Sequence, residues 1–322
     1  MYNWGIIGPG SIANRMADAL DRVKGAYKYA VASRTLDRAV AFKKKHGFEK
    51  AYGSYEELYN DKDVDIVYIA TPHNAHFKCA LDAMNHGKNV LIEKPMTVNA
   101  NEARELIECA KRNNVFCMEA LWIRFLPLND KINKALDKIG DVISVTADFS
   151  VCVDVNDMSC RLSNPDTAGG ALLDLGVYPL NLADMYIDAA PENISSVAYM
   201  SPAGVDMNDV ISLGYKGGKT AMLRTSLLFE SLRDVHIDGT KGRIRIPNFI
   251  WFGRAEYYKD YDVTEVLEAF YDNGFQYEVK HVMDCLDKGM KDSDVMPLYK
   301  TLRITETMDK LRNDWNLKYP FE

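Results

Sequence analysis

Apolar residues in the first 120 positions form short continuous runs that alternate with stretches of helical periodicity. Ala13, Met16, Ala17 and Leu20 recur at i, i+3, i+4 and i+7, the spacing of an amphipathic helix. The runs between such helices are short and continuous, as in strands that are buried on both faces. The predicted strands are residues 2–7, 27–32, 50–52, 65–71, 89–92 and 115–118. This βαβ alternation predicts a parallel, doubly wound sheet.

The second part of the chain has a different periodicity. Apolar and polar residues alternate over 143–153, which predicts a long strand with one buried face. Glycines at 217–218 and at 239 and 242 are typical of hairpins. Further strands are predicted at 194–200, 210–215, 220–227, 235–238, 242–246 and 249–251. We therefore expect an α/β protein: an N-terminal Rossmann sheet, then an α+β C-terminal domain with an open, mostly antiparallel sheet.

Composition narrows the class of protein. The chain has 322 residues, 47% of them hydrophobic, and a net charge of −7, which favours two domains and argues against nucleic acid as the main partner. No apolar run is long enough to span a membrane, and residues 2–7 form a strand rather than a signal peptide. The six cysteines contain no C-x-x-C pair, which is typical of reduced thiols. We expect a cytoplasmic protein without a membrane partner.

A glycine motif follows the first strand. Gly8, Gly10 and Ala13 form G-x-G-x-x-A, in which Gly8 permits the tight turn and Gly10 lets the backbone approach a pyrophosphate. The helix that begins at Ser11 and Ile12 then offers N–H groups to the phosphates. The alternative is an ordinary βα turn. We expect a dinucleotide-binding domain over residues 1–122 and a substrate-binding and oligomerisation domain over 123–322.

The end of the second strand indicates which nucleotide is bound. An NAD site usually has an acidic residue there for the ribose hydroxyl, whereas this chain has Ser33 and Arg34, with Arg38 one turn later. Because a guanidinium can pair with a 2′-phosphate, we expect NADP rather than NAD. The alternative is that Arg34 is an ordinary solvated residue.

Polar residues follow the fourth and fifth strands, where ligands bind in open α/β sheets. Glu93 and Lys94 end the fifth strand, and an ordinary surface ion pair is the alternative explanation for them. His73 and His76 have no second ligand cluster with metal-site spacing, so we expect no metal. Lining of the nicotinamide ribose is expected instead from Thr71, Pro72, Asn74 and His76.

These motifs resemble the Gfo/Idh/MocA oxidoreductases, and most closely their dimeric dihydrodiol dehydrogenase branch. The residues that carry the resemblance are GPGSIA at 8–13, ATPHNAH at 70–76, EKP at 93–95, EALWIRFLP at 119–127 and GGALLDLGVYP at 169–179. The resemblance implies that Lys94 is the active-site lysine and that Glu93, Lys94 and Arg124 approach the cofactor. It also implies a homodimer or higher homo-oligomer formed through the C-terminal sheet.

The resemblance places the substrate residues in the later motifs. Trp122, Asp174, Tyr178 and Asn181 are expected to contact a small polyhydroxylated or carbonyl substrate. Tyr178 and Asn181 replace the His and the last Asp of the wider family pattern, which fits the dihydrodiol dehydrogenase branch.

Asp174, Tyr178 and Lys94 are the predicted catalytic residues. Asp174 and Tyr178 share a face if their segment is helical, but Gly176 and Pro179 make a bent turn an alternative. A nearby ammonium favours a phenolate, so Tyr178 would exchange the substrate proton while Lys94 binds the reacting oxygen. These two roles could be interchanged. Asp174 would orient Lys94 or a substrate hydroxyl.

The sequence thus predicts an NADP-dependent oxidoreductase that transfers a hydride at a carbinol or carbonyl carbon of a sugar, polyol or trans-dihydrodiol. One alternative is an enzyme that keeps its nucleotide bound between two substrates. Another is a non-catalytic cofactor- or sugar-sensing regulatory protein on the same fold.

Overall fold

The computed structural model describes residues 1–154, 157–251 and 253–322. These residues form two compact units, Met1–Phe125 with Asp272–Leu302, and Leu126–Tyr271 with Arg303–Glu322. The last helix contributes residues 298–302 to the first unit and the rest of its length to the second. The functional division into domains 1–122 and 123–322 stays a prediction.

The first unit contains a six-stranded, wholly parallel sheet in the order β3-β2-β1-β4-β5-β6. Its strands are β1 Tyr2–Ile7, β2 Ala26–Ala32, β3 Lys50–Tyr52, β4 Ile66–Ile69, β5 Asn89–Glu93 and β6 Cys117–Ala120. This is the Rossmann strand order, and the order reverses between β1 and β4. Strand β6 begins two residues later than predicted because the Val115 N–H closes the preceding helix on Ala110.

Helices connect these strands, and local sequence signals mark their ends. Ser54 and Glu57 form the capping box, and Asn99 accepts a hydrogen bond from the Glu102 N–H. Gly47, with φ at 75°, ends the second helix. The helices are α1 Ser11–Leu20, α2 Leu36–His46, α3 Tyr55–Asn60, α4 His73–Asn85 and α5 Ala100–Asn113, with α8 Phe275–Asp287 from the later segment.

The core of the first unit lies between this sheet and its helices. Val67, Ile69, Val90 and Ile92 from the central strands are fully buried there. Burial on both faces explains why these strands have continuous apolar sequences rather than alternating ones.

The second unit contains an eight-stranded sheet in the order β14-β13-β12-β11-β7-β10-β9-β8. All its pairings are antiparallel except that of β7 with β10. The strands are β7 Val142–Ser150, β8 Asn193–Met200, β9 Asp206–Gly214, β10 Thr220–Ser226, β11 Val235–Gly239, β12 Arg243–Ile246, β13 Arg254–Lys259 and β14 Asp262–Glu268. Helices α6 Leu128–Ile139 and α7 Val177–Ile187 belong to this unit, and α9 is Leu298–Asp314. The predicted fold class, a parallel Rossmann sheet followed by an α+β domain with a mostly antiparallel sheet, is confirmed.

One predicted strand of this sheet was wrong, and one hairpin was not predicted. Phe249–Trp251 is a 3-10 turn rather than a strand, because Asn248 takes a φ of 48° and its carbonyl accepts from Trp251 N–H. The hairpin of β13 and β14 was missed. Only Leu267 of β14 is buried. This edge strand therefore lacks the alternation of buried and exposed residues that identifies a half-buried strand.

In the described part of the chain, no helix is both long enough and apolar enough to span a membrane.

Candidate active site

The loop after β1 forms a cradle of bare backbone at the reversal of strand order. Gly8 has a φ of 76°, and a Cβ there would lie 2.8 Å from the Ala70 carbonyl oxygen and 2.9 Å from the Thr71 nitrogen. Gly10 is different, since a Cβ there would meet nothing closer than 3.8 Å. Gly10 is the N-cap of α1 and provides no side-chain cap, and the first turn of α1 contains no acidic residue. The N–H groups of this turn therefore fit a pyrophosphate.

Two arginines lie at the end of β2. Ser33 is buried and donates its N–H to Tyr52, whereas Arg34 and Arg38 are exposed. Both guanidinium groups are near enough to Tyr55 to oppose the effect of burial, which raises the pKa of that phenol. Neither arginine has an ion-pair partner among residues 1–154, 157–251 and 253–322. The segment after β2 therefore offers two exposed guanidinium groups.

Three side chains hold the residues on either side of Lys94. Tyr68 on β4 donates its hydroxyl to Glu93, and His76 on α4 places Nδ1 2.9 Å from the Pro95 carbonyl oxygen. Glu119 on β6 accepts the Met96 N–H at 2.9 Å and the Thr301 hydroxyl at 3.0 Å. Lys94 itself is half-buried. Hydrogen bonds from three neighbouring elements therefore fix the residues on either side of Lys94.

The residues after β4 divide into buried and exposed groups. Thr71, His73 and His76 are buried, and Nε2 of His76 lies 2.8 Å from the Thr71 carbonyl oxygen. Pro72 and Asn74 are exposed. His76 thus joins the ends of β4 and β5, and its predicted contact with a ribose stays a prediction.

Trp122 and Arg124 lie in the 3-10 turn Trp122–Phe125, and both are buried. The Trp122 ring stacks on Phe275 at a centroid distance of 5.6 Å, and the Arg15 guanidinium lies 5.0 Å from the Trp122 ring. The structure thus gives Trp122 a packing role within the first unit, and its predicted contact with substrate is untested. Arg124 is close enough to lower the pKa of Glu119, which burial raises.

Glu278 on α8 is a buried carboxyl group that sequence reasoning missed. Its side chain is fully buried, and within the described residues neither carboxyl oxygen has a hydrogen-bond partner. Burial raises its pKa well above the ordinary value, the charge of Glu93 adds to this, and Arg15 opposes it. A sequence signal existed, because Glu278 occupies the i+3 position of the apolar stripe that starts at Phe275.

We expect Glu278→Gln to stabilise the protein at high pH. Folding raises the pKa of Glu278. The contribution of this carboxyl group to the free energy of unfolding is therefore complete below its ordinary pKa of 4.5, and it is lost as the pH rises through the pKa of the folded state. The variant should match the parent near pH 4 and exceed its free energy of unfolding at pH 8 by about 1–3 kcal/mol. Urea unfolding at both pH values measures this. The exposed Glu105→Gln should show no such pH-dependent difference; equal curves for Glu278→Gln and parent at pH 8 would contradict the assignment.

In the second unit, Gly170 lies against a buried carboxylate. A Cβ at Gly170, whose φ is 122°, would lie 2.1 Å from Asp206 Oδ1, while Asp206 Oδ2 accepts the Leu172 N–H at 2.5 Å. The carbonyl of the neighbouring Gly169 accepts a hydrogen bond from the Tyr319 hydroxyl at 2.7 Å. Burial raises the pKa of Asp206, and burial together with the Asp206 charge raises that of Asp209 further. Sequence reasoning missed this acidic pair, which fixes the start of the segment that carries the predicted catalytic residues.

Leu172–Gly176 is a π-helical turn that continues directly into α7. The Val177 N–H donates to the Leu172 carbonyl, one residue further back than in an α-helix. The segment is therefore helical throughout and widened at Leu172–Gly176, and the bent-turn alternative drawn from Gly176 and Pro179 was wrong. Such turns are frequent at functional sites.

Asp174, Tyr178 and Asn181 are all buried on this segment. Asp174 accepts a hydrogen bond from Arg161 Nη2 at 2.8 Å, and the Tyr178 ring packs edge-on against Phe149 at 5.4 Å. The Asn181 amide donates to the Val177 carbonyl at 2.9 Å, which is a bond within the helix. Their predicted roles toward substrate stay predictions.

Sequence comparisons identify relatives over both units. Residues 2–121 match the family model "Oxidoreductase family, NAD-binding Rossmann fold", and residues 131–245 match "GFO/IDH/MocA C-terminal domain". Trans-1,2-dihydrobenzene-1,2-diol dehydrogenase of Xenopus laevis is 35% identical, covering 98% of this chain and 99% of the relative. The Homo sapiens enzyme of the same name is 34% identical, covering 98% of each chain.

Solved structures with the same fold cover nearly the whole chain. KijD10, a 3-ketoreductase from Actinomadura kijaniata crystallised with NADP and TDP-benzene, has a TM-score of 0.88 and 25% identity, with 97% of each chain covered. Levoglucosan dehydrogenase, in complex with NADH and levoglucosan, has a TM-score of 0.88 at 17% identity, with 97% of this chain and 96% of that chain covered. The second likeness concerns the fold alone.

Proposed function

The chain belongs to the Gfo/Idh/MocA oxidoreductase family, and on this basis we propose that it is an NADP-dependent dehydrogenase or reductase of a small polyhydroxylated substrate. The observation that carries the proposal is the near full-length similarity to trans-dihydrodiol dehydrogenases, together with a glycine cradle that fits a dinucleotide. Sugars, polyols and trans-dihydrodiols are the substrate classes that we propose.

The choice of NADP is supported by the charges at the end of β2. Arg34 and Arg38 are exposed there, and Ser33 stands where an NAD site usually has a carboxylate. A 2′-phosphate would receive charge-assisted hydrogen bonds from these guanidinium groups.

We expect Arg34→Ala and Arg38→Ala to lower kcat/KM for NADPH by about 10- to 100-fold, since a hydrogen bond to a charged group contributes about 1.5–3 kcal/mol. Activity with NADH should change little. Steady-state kinetics with both nucleotides measures the effect, and Arg104→Ala, an exposed arginine on α5, is the control. A parent enzyme that prefers NADH, or equal losses with both nucleotides, would refute NADP preference.

The chemistry needs a hydride acceptor and a path for one proton. A bound nicotinamide supplies the hydride transfer. We assign the proton exchange at the substrate oxygen to Tyr178 and the hydrogen bond to that oxygen to Lys94, and an exchange of these two roles stays open. Glu93 would hold the nicotinamide ribose beside Lys94, and Asp174 would orient Lys94 or a substrate hydroxyl.

A substrate screen separates this proposal from a regulatory binding protein. Loss of NADPH absorbance with carbonyl sugars, or its appearance from NADP with polyols and trans-dihydrodiols, is the expected result. Nucleotide binding without turnover of any member of these classes would favour the regulatory alternative.

We also propose that the second unit forms a homodimer or higher homo-oligomer through its sheet. Val197 and Val210 are paired across β8 and β9 and are exposed, as are Tyr199 and Met222 on neighbouring positions. Exposed apolar patches of this kind are typical of interaction surfaces. Sedimentation equilibrium tests the proposal, which fails if the chain is monomeric at micromolar concentration.

A further inference from the structure

Helix α8 and the connection after it bring together three side chains that can bind a metal. His281 and Cys285 are one turn apart on α8, and Asp294 lies in the following connection. His281 Nε2 is 3.3 Å from Cys285 Sγ and 3.6 Å from Asp294 Oδ1. The proposed catalytic machinery uses none of these residues.

The two distances from His281 Nε2 to the other ligand atoms are close to those between neighbouring ligands of a tetrahedral metal ion. Zinc bonds of about 2.3 Å to sulfur and about 2.0–2.2 Å to nitrogen or oxygen place neighbouring ligand atoms roughly 3.4–3.6 Å apart. The nitrogen–sulfur and nitrogen–oxygen distances agree with this, and all three ligand atoms lie within 4.8 Å of one another.

A cysteine–histidine–aspartate catalytic triad would need a different arrangement. In such a triad the nucleophile and the carboxylate bind opposite nitrogens of the imidazole. Here both Cys285 and Asp294 lie at Nε2 of His281, and Ser293 Oγ lies 2.7 Å from the same atom. Convergence on one nitrogen is the geometry of ligands around a shared centre.

The surroundings are compatible with metal entry. The Asp294 side chain is 64% exposed, so an ion can reach the cluster from solvent. Burial lowers the pKa of the His281 imidazole. Burial also raises the pKa of Cys285 to about 11, so the ion must displace the thiol proton on binding. It must also replace the contact of His281 with the Ser293 hydroxyl.

We propose that His281, Cys285 and Asp294 bind one divalent transition-metal ion, with zinc as the metal that best fits an imidazole, thiolate and carboxylate set. A water molecule would complete the tetrahedron. The ion would tie α8 to the connection that leads into α9, and it would stabilise the folded chain by mass action.

Cobalt titration of the untagged, chelator-treated full chain tests the site directly. One Co²⁺ per chain should bind with a thiolate-to-metal charge-transfer absorption in the near ultraviolet, and Zn²⁺ should abolish this absorption by displacement. Cys285→Ser should lose it. Cys109→Ser removes another buried thiol of the same unit and should retain it.

Asp294→Asn is the second variant, since this exposed substitution should leave folding intact. Loss of a direct ligand should cost at least as much as loss of a group that only contacts a ligand. We therefore expect Asp294→Asn to weaken Zn²⁺ binding at least about 10-fold. Zn²⁺ should raise the Tm of the parent but not that of Cys285→Ser. Failure of the parent to bind cobalt, an absorption that persists in Cys285→Ser, or unchanged zinc affinity in Asp294→Asn would each overturn the proposal.

Discussion

Lys94→Met and Tyr178→Phe are each expected to lower kcat at least about 10²-fold, the loss typical of a group that takes part in proton transfer. Lys94 follows β5 on a segment held by Tyr68, His76 and Glu119, so its removal should not disturb the backbone. Steady-state kinetics with saturating nucleotide measures the loss, and fluorescence titration should show that the variants still bind nucleotide.

Matched controls are available for both substitutions. Tyr215→Phe removes a hydroxyl from a tyrosine of the same unit that is 7% exposed, compared with 8% for Tyr178. Lys62→Met removes an exposed ammonium from the first unit. Both controls should retain near-parental kcat. If Lys94→Met and Tyr178→Phe also retained it, the proposed division of the chemistry would be wrong.

Gly8→Ala and Gly10→Ala should fail in different ways. Alanine at Gly8 would meet the Ala70 and Thr71 backbone at a positive φ, and strain and overpacking each cost about 1–3 kcal/mol. Gly8→Ala should therefore lose stability without ligand. Gly10→Ala has open space and a φ of −100°, so its stability should change by less than about 1 kcal/mol.

The second expected effect of Gly10→Ala is on binding. A methyl group there would stand between the backbone and a pyrophosphate, and nucleotide affinity should fall at least about 10-fold, or about 1.4 kcal/mol. Thermal unfolding of the apo variants and nucleotide titration separate the two glycines. An unstable Gly10→Ala, or a Gly8→Ala as stable as the parent, would contradict the distinct roles.

The first sheet was predictable because its strands are buried on both faces and its connections have capping signals. Ser54, Gly47 and Asn99 mark helix ends by local chemistry, which needs no knowledge of the fold. Strand β14 was missed for the opposite reason: an edge strand with one buried residue has no periodic pattern to detect.

The buried acidic residues near the candidate site were not predicted for a different reason. Glu278 and Asp206 are polar groups at buried positions, and their environment depends on segments distant in sequence. Glu278 could have been noticed as a carboxylate inside an apolar stripe. The pairing of Asp206 with Gly170 could not, because only the folded chain brings them together. The cluster at His281 escaped a search for C-x-x-C spacing because its cysteine and histidine are four residues apart on a helix.

The fixed backbone around Lys94 limits what could be transplanted. If the strand-end sequence alone were grafted onto another Rossmann sheet, the Pro95 carbonyl and the Met96 N–H would lose their hydrogen-bond partners His76 and Glu119. The lysine would then lie on an unrestrained loop. A design that includes this lysine must therefore also include the side chains from helix α4 and strand β6 that hold its neighbours.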